Sequence, residues 1–530
     1  MYSFNPTVFE VNGILYSLVR HETNIKQWLE STMTYTLHKL DNNNIQLSTE
    51  QCEFHINGNI YKSLKRSDIG INKYMIEDIK YFYTKNNTIY CIANVLVKNS
   101  PRLFRVGIIK LDIEKASIHL VKLLSIETMK NEEKNWTAFY YNNVSYIIYT
   151  LFPNLILYSI DDNFDLHPYT ITNNFHEILS TPVIHNLSCY YSDLYLTACM
   201  SPLQLSYGLY LIYCKKKTIN NNYEYYYCIL RMSDCKLFFL NTMRTSGLKL
   251  YLNSINTMRD KIYECYGLND SNYKIITNKI EVCLHYFDGW HNFGDELSLY
   301  ITQRMIDTNK YNLIYNESCK SINMVCIGSY IQEAKHNSFV FGTGIRTSNN
   351  IENGHKYKNL IVCAVRGPHT RDWLIQKGIF VPEIYGDPAL LLPKFYKPNI
   401  NKSLSNKIGI VPHFTQYKQY LADNSIDKSI YYIISPSDDW EQVINAICSC
   451  KAIVSSSLHG IICSDAYGIP NLWLDEYPLD EGDFKFNDYF ASQHRDYTKI
   501  SKLTEYKEEL LYTKGNTIDL DLLMHAFPFQ

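Results

Sequence analysis

The sequence predicts a multidomain protein, with an all-β N-terminal region followed by an α/β C-terminal region built as two similar halves. Three observations predict this. Up to about residue 266, short runs rich in Tyr, Ile, Val and Phe recur, each bounded by Asn, Asp or Gly. From about residue 280 the apolar runs become continuous and alternate with amphipathic segments, the pattern of a parallel sheet covered on both faces. A Pro/Asn/Lys/Ser-rich stretch at 398–406 divides this second region in two.

In the first region the strand-like runs include 79–84, 88–95, 103–111, 145–150 and 154–160, with 22–31 as one candidate helix. Strands at this spacing make a sandwich, a barrel or a propeller. The polar segment 267–279 is the expected boundary. In the second region the continuous runs are 324–327, 360–365, 408–411 and 452–455, and the helical segments are 295–307, 367–377 and 438–449. The expected domains are therefore 1–266 and 280–530, the latter with Rossmann-like halves at 280–396 and 407–530. Two such units facing each other across a cleft make a GT-B-like architecture. The segment 486–530 is expected to cross back onto the first half.

Composition narrows the function classes. The 530 residues correspond to roughly three domain-sized units. With 46% hydrophobic and 20% charged residues, the chain has ample material for more than one core. A net charge of −2 gives no global basic field, so nucleic acid is not an expected partner. The N-terminus lacks the basic start of a signal peptide, and no window approaches the ~20 apolar residues of a membrane span. Fifteen Cys without zinc spacing read as reduced thiols and a cytoplasmic location. The 46 Tyr, with much Asn, Ile and Lys, match the bias of AT-rich genomes, including those of some protists and large DNA viruses. For a virus the cytoplasm would be the host's.

Six stretches of the second region carry chemistry. Asp288-Gly289-Trp290-His291-Asn292-Phe293-Gly294-Asp295-Glu296 follows a strand and opens a helix, a place where backbone N–H groups meet anions. A plain turn with Asp295 as cap explains it equally well. Gly342-Thr343-Gly344 is a tight turn at a strand end. In Val365-Arg366-Gly367-Pro368, Arg366 sits at the C-terminal rim of a parallel sheet, where its fork suits carboxylate or phosphate. In Gly386-Asp387-Pro388-Ala389, Asp387 caps a helix opened by Pro388. Val411-Pro412-His413 and Ser455-Ser456-Ser457-Leu458-His459-Gly460 end two strands of the second half, which places His413 and His459 on one rim. The three hydroxyls and the helix that follows them make a phosphate cradle.

In this order and spacing the six stretches resemble the polysaccharide pyruvyl transferase family over residues 284–496. The most specific are Asn292-Phe293-Gly294-Asp295-Glu296, Val365-Arg366-Gly367-Pro368, Gly386-Asp387-Pro388-Ala389, and Ser457-Leu458-His459-Gly460 with Asp465-Ala466-Tyr467-Gly468-Ile469-Pro470. The resemblance implies a GT-B-like fold, phosphoenolpyruvate as co-substrate, a glycan hydroxyl pair as acceptor, and a pyruvate ketal as product. No cofactor or metal is expected. Protonating the alkene needs a group that titrates near neutrality, a role assigned to His459. His413 is a second acid/base or a phosphate ligand. Arg366 is the expected donor-anion ligand, with Asn292, Gly294, Asp295, Ser456, Ser457 and Leu458 completing the donor site and Gly344 and Asp387 shaping the cleft. The chain departs from the family at Ser457, where an Arg often stands, and at His291, where a Gly is usual. If the enzyme is active, Lys or Arg elsewhere must replace the missing charge.

The first region resembles five-bladed β-propellers related to glycoside hydrolases and phosphorylases. The likeness lies in Met75-Ile76-Glu77-Asp78-Ile79-Lys80 and in Glu133-Lys134-Asn135-Trp136-Thr137-Ala138-Phe139, followed by Tyr149 and Pro153, with Thr181-Pro182-Val183 opening a further blade. Asp78 and Glu133 read as paired glycosidase carboxylates or, preferably, as blade-turn residues of a silent sugar-binding propeller. In either case Trp136 is expected to stack on sugar. Two alternatives to the pyruvyl transferase are a GT-B glycosyltransferase using a nucleotide sugar and a catalytically silent glycan-binding protein. The first would want a Glu-x7-Glu ribose pair after His459, and no clear pair appears there, although Glu476 and Glu481 lie nearby. The second draws on Ser457.

Overall fold

The computed structural model divides the chain into two units, Met1–Lys279 and Ile280–Gln530. It describes residues 2–12, 14–22, 33–40, 47–56, 75–85, 88–99, 102–113, 117–126, 136–151, 154–173, 197–198, 202–206, 208–217, 223–243, 250–258, 261–268, 272–315, 322–347, 359–477 and 482–530.

The first unit is a series of strand groups, antiparallel within each group and taken in chain order, opening at Tyr2–Val11, Met75–Lys85, Thr137–Tyr141, Thr197–Ala198 and Leu250–Met258. The first two are joined into one eight-stranded sheet by a short parallel pairing of Leu47–Ile56 with Ser117–Leu123. Tyr2–Val11 packs against Met75–Lys85 and also against the strands of the last group, so the series closes into a propeller-like ring. Thr88–Asn99 shows how the sequence permits this. Ile89, Cys91, Ala93 and Val95 join one cluster with Phe9 and Leu18, while Ile92 joins another with Val106 and Trp136. Successive side chains point to opposite faces, so a strand buried on both faces reads as one apolar run. A third cluster, with Phe139, Leu155, Tyr210 and Leu230, spans the next pair of groups.

Three sequence expectations change here. Segment 267–279 is not a linker: it contains the end of Lys261–Leu268 and all of Asn272–Asn278, paired in the last group. Asn272–Asn278 lies at the edge of its sheet, where a polar face is tolerated. Glu22 ends a strand, and the rest of the candidate helix 22–31 lies outside the described residues. The cysteines are not all thiols either, because Cys283 is disulfide-bonded.

In the second unit the first sheet holds β1 (Ile280–His285), β2 (Tyr311–Tyr315), β3 (Ile322–Val325), β4 (Phe339–Phe341) and β5 (Ile361–Ala364), parallel, in the order β2-β1-β3-β4-β5. The second holds β6 (Ile408–Val411), β7 (Tyr431–Ile433), β8 (Ala452–Ser455), β9 (Asn471–Leu474) and β10 (Lys499–Ile500), parallel, in the order β7-β6-β8-β9-β10. Strands β5, β6, β8 and β9 are buried along their whole length, as strands covered on both faces must be.

The helices follow their caps. Asn292 caps α1 (Phe293–Met305), and Pro368 opens α2 (Pro368–Gln376). After α3 (Tyr417–Ala422), helix α4 (Trp440–Ser449) buries Val443, Ile444 and Ile447 on one stripe. In α5 (Leu458–Ala466) every residue from Leu458 to Asp465 is buried. Helix α6 (Phe484–Ser492) leaves the second half and packs on α2. Beyond α7 (Leu520–His525), Phe527 and Phe529 pack edge-on against Phe341 and Phe339 of the first sheet. The closing segment thus does return to the first half.

Candidate functional site

Open parallel sheets bind ligands outside the carboxyl ends of their strands, where the strand order reverses. Here those points lie between β1 and β3 and between β6 and β8. Both open on one cavity of about 160 Å³. The first half contributes Phe287 and Asn292 after β1, Gly328, Ser329 and Tyr330 after β3, and Arg346 after β4. The second contributes His413 and Phe414 after β6, Ser457, Leu458 and His459 after β8, and Lys485 on α6.

His459, in the first turn of α5, is buried. Its ring lies directly on the backbone of Gly294, where an added Cβ would fall 2.0 Å from Nδ1. Nε2 stands 3.7 Å from Asp387 Oδ2 and has no hydrogen-bond partner among the described residues. On another side, Asp295 Oδ1 and His459 Cε1 converge over Gly328, 2.9 and 3.8 Å from where its Cβ would be. Asn292 fixes that carboxylate: its Nδ2 donates to Asp295 Oδ2 at 2.7 Å while its Oδ1 accepts from Gly294 N at 3.2 Å. Burial pushes the Asp295 carboxyl up to about 6, with His459 pulling it down and Asp387 pushing it up. Asp387 itself is fully buried and accepts from Ala389 N at 3.0 Å and Gly328 N at 3.5 Å. An imidazole with an unpartnered nitrogen therefore sits near two fixed carboxylates, Asp387 at 3.7 Å and Asp295 acting through space, an arrangement suited to proton transfer.

Arg366 is not placed as the sequence suggested. It is fully buried and does not line the cavity. Its Nε donates to Asp488 Oδ2 at 3.0 Å, and its remaining nitrogens donate to Ser329 Oγ at 2.7 Å, Ile345 O at 2.7 Å and Gly328 O at 3.4 Å. Gly344 makes room for it, since a Cβ there would lie 2.4 Å from the guanidinium carbon. Among the described residues, the Lys and Arg side chains that line the cavity are Arg346 and Lys485. Both act on the Asp295 carboxylate through space. Arg346 sits two residues beyond the Gly342-Thr343-Gly344 turn, so its rim position was available from the sequence. Lys485 carried no comparable signal.

Only part of the serine cradle faces the cavity. Ser455 Oγ lies 2.8 Å from Val411 O and 2.7 Å from Ser457 O, sharing its one proton between them. Ser456 Oγ donates to Gln416 Oε1 at 2.6 Å and accepts from His413 N at 3.0 Å. Ser457 and Leu458 line the cavity at the N-terminus of α5, and Ser456 does not. His413 lines it too, with Nδ1 2.8 Å from Thr415 Oγ1. His291 is exposed and pairs with Glu296 at 2.9 Å.

In the first unit, Asp78 lies at a bulge of Met75–Lys85 with φ of +51°. Its carboxylate accepts from Asn94 Nδ2 at 3.0 Å and stands 3.6 Å from Arg20. Glu133, Pro153 and Thr181-Pro182-Val183 lie outside the described residues. Trp136 is a core residue, 2% exposed and edge-on to Tyr149 at 5.2 Å, so it offers no face for stacking on sugar.

A family model described as polysaccharide pyruvyl transferase matches residues 207–476, just over half of the chain, starting within the β-rich unit. The uncharacterized protein L143 of Acanthamoeba polyphaga mimivirus is 28% identical over 266 residues, which cover 47% of this chain and 89% of that protein. Among solved structures, a glycosyl hydrolase from Bacteroides ovatus is 12% identical, covers 52% of this chain and 84% of its own, and has a TM-score of 0.38. A β-1,2-mannobiose phosphorylase from Listeria innocua is 13% identical, covers 52% and 88%, and has a TM-score of 0.36. Among the described residues no helix is long and apolar enough to cross a membrane.

Proposed function

The chain belongs to the polysaccharide pyruvyl transferase family, and from that premise we propose that its second unit, a GT-B-like pair of Rossmann-type halves, moves the pyruvyl unit of phosphoenolpyruvate onto a hexose of a glycan. The observation that carries this reading is His459, buried in the cavity with an unpartnered Nε2 3.7 Å from Asp387 and with Asp295 acting on it through space. The cavity's size supports a small donor. At about 160 Å³ it falls below the ~300–1,000 Å³ of sites for drug-sized ligands, the range a nucleotide sugar would want.

His459 gives its proton to the methylene carbon of phosphoenolpyruvate, and the adjacent carbon gains oxocarbenium character. A sugar hydroxyl attacks that carbon, forming a C–O bond and releasing its proton to a base. Phosphate then leaves with the electron pair of its C–O bond. The second hydroxyl closes the ketal and loses its own proton. One proton ends on carbon and one on phosphate, so the balance is phosphoenolpyruvate plus diol giving ketal plus phosphate. Arg346, Lys485, Ser457 and the N-terminus of α5 hold the donor's carboxylate and phosphate. Asp295 and Asp387 orient the imidazole and stabilise its charged form.

The reading is tested by incubating the full-length protein with phosphoenolpyruvate and a panel of hexose acceptors and measuring phosphate release. Release that needs both substrates is the expected result. No release with any acceptor, alongside turnover of a nucleotide sugar, sinks it.

A further inference from the structure

We propose that Arg366 is a positioning residue which, through Asp488, sets Lys485 in the cavity as the cation that binds the donor's anionic group. The proposal rests on the donor reading above and adds the residue that holds the anion and the device that places it.

Both members of the Arg366–Asp488 pair are fully buried. Asp488 also accepts from Thr370 N at 2.9 Å and Thr370 Oγ1 at 2.7 Å, so it is bound to α2 and to the end of β5 at once. The packing leaves no slack: a Cβ at Gly367 would lie 1.9 Å from Asp488 O. Asp488 and Lys485 are three residues apart on α6 and so share a helix face. Locking Asp488 therefore sets the rotation and height of Lys485. Arg366 also holds the opposite wall, because Ser329 and Gly328, two of its three other acceptors, both line the cavity. One guanidinium thus ties the first-half wall to a helix arriving from the second half. Lys485 is buried, and a buried cation at a cavity wall interacts with an anion far more strongly than one in water.

The test is calorimetric titration of the full-length protein with inorganic phosphate and with phosphoenolpyruvate. Lys485→Met should weaken phosphate binding by about tenfold or more, and Lys485→Arg should restore most of it. Arg366→Lys keeps every cavity cation and should still weaken phosphate binding to a similar degree. In the Arg366→Lys/Lys485→Met double variant the loss should match that of Lys485→Met to within about twofold. In turnover, the KM for phosphoenolpyruvate should rise more than kcat falls. Unchanged phosphate affinity in Arg366→Lys, or losses that simply add in the double variant, overturns the proposal. Asp488→Asn gives the same test if Arg366→Lys does not fold. Phosphate affinity reads the latch, whereas preference for phosphoenolpyruvate over phosphate reads the donor, so each fails on its own.

Discussion

Two residues beyond β1 the first half of the α/β unit places Phe287 in the cavity wall, and two residues beyond β6 the second half places His413 there. Four residues beyond β3 stands Ser329, and four beyond β8 stands His459. The strand orders match and the chain leaves the strands at corresponding points, but the side chains differ in kind. The first half supplies Phe287, Ser329, Tyr330, the cation Arg346 and the Asp295 carboxylate, but no imidazole. The second supplies imidazoles, a hydroxyl and a helix N-terminus. The backbone path decides where a side chain meets the ligand, and the side chain decides whether it bounds the ligand or reacts with it.

Substitutions at matched positions break this comparison most sharply. His459→Ala should lower phosphate release by about 10²–10⁴-fold, the range for loss of a general acid, with an unchanged melting curve. Ser329→Ala, at the corresponding place in the first half, should cost less than about tenfold. Comparable losses in the two would remove the division of labour. Gly294→Ala comes next. Its Cβ would meet the His459 ring, so kcat should fall on the order of a hundredfold although no reacting group is lost. A normal kcat would show that the ring is not held where the proton is needed.

Asp295→Asn sharpens the comparison through pH. Asp295 holds its proton up to about 6 in the folded protein, against a usual value near 3.8. It binds the proton more tightly when folded, so its contribution to stability is fully present below 3.8 and is lost as pH rises through about 6. The Asn variant should therefore melt higher than the parent at pH 7, by on the order of 1–3 kcal/mol, and equally at pH 4. Equal melting at both pH values would mean that the carboxylate carries no strain from burial. His413→Ala has the smallest expected effect, about tenfold or less in kcat/KM, because Nδ1 is already engaged by Thr415.

Much of this was legible in the sequence. The runs at 408–411 and 452–455 are the strands themselves, because a strand buried on both faces leaves an unbroken apolar signature. The six stretches lie where their strand–turn–helix grammar put them, and His413 and His459 do meet in one cavity. The role of Arg366 was not legible, since its partner lies 122 residues away and no local pattern announces such a pairing. Nor was the burial of Trp136: a Trp looks the same in sequence whether it paves a core or faces a sugar. Asn272–Asn278 was hidden because its Asn, Lys and Thr residues read as a loop in composition.

The packing of Phe527 and Phe529 on the first sheet bears on how the protein is made. Phe529 lies 5.3 Å from Tyr311 and 5.0 Å from Phe339, and its carbonyl accepts from Asp307 N at 2.9 Å. The first half is translated well before these residues emerge from the ribosome. Until they do, Phe339 and Phe341 have no cover from the closing segment, and a nascent chain halted between the halves presents a chaperone with an unsealed aromatic face. Completion of the first half is thereby tied to the end of the second, and contacts of such long sequence separation are of the kind that slow folding.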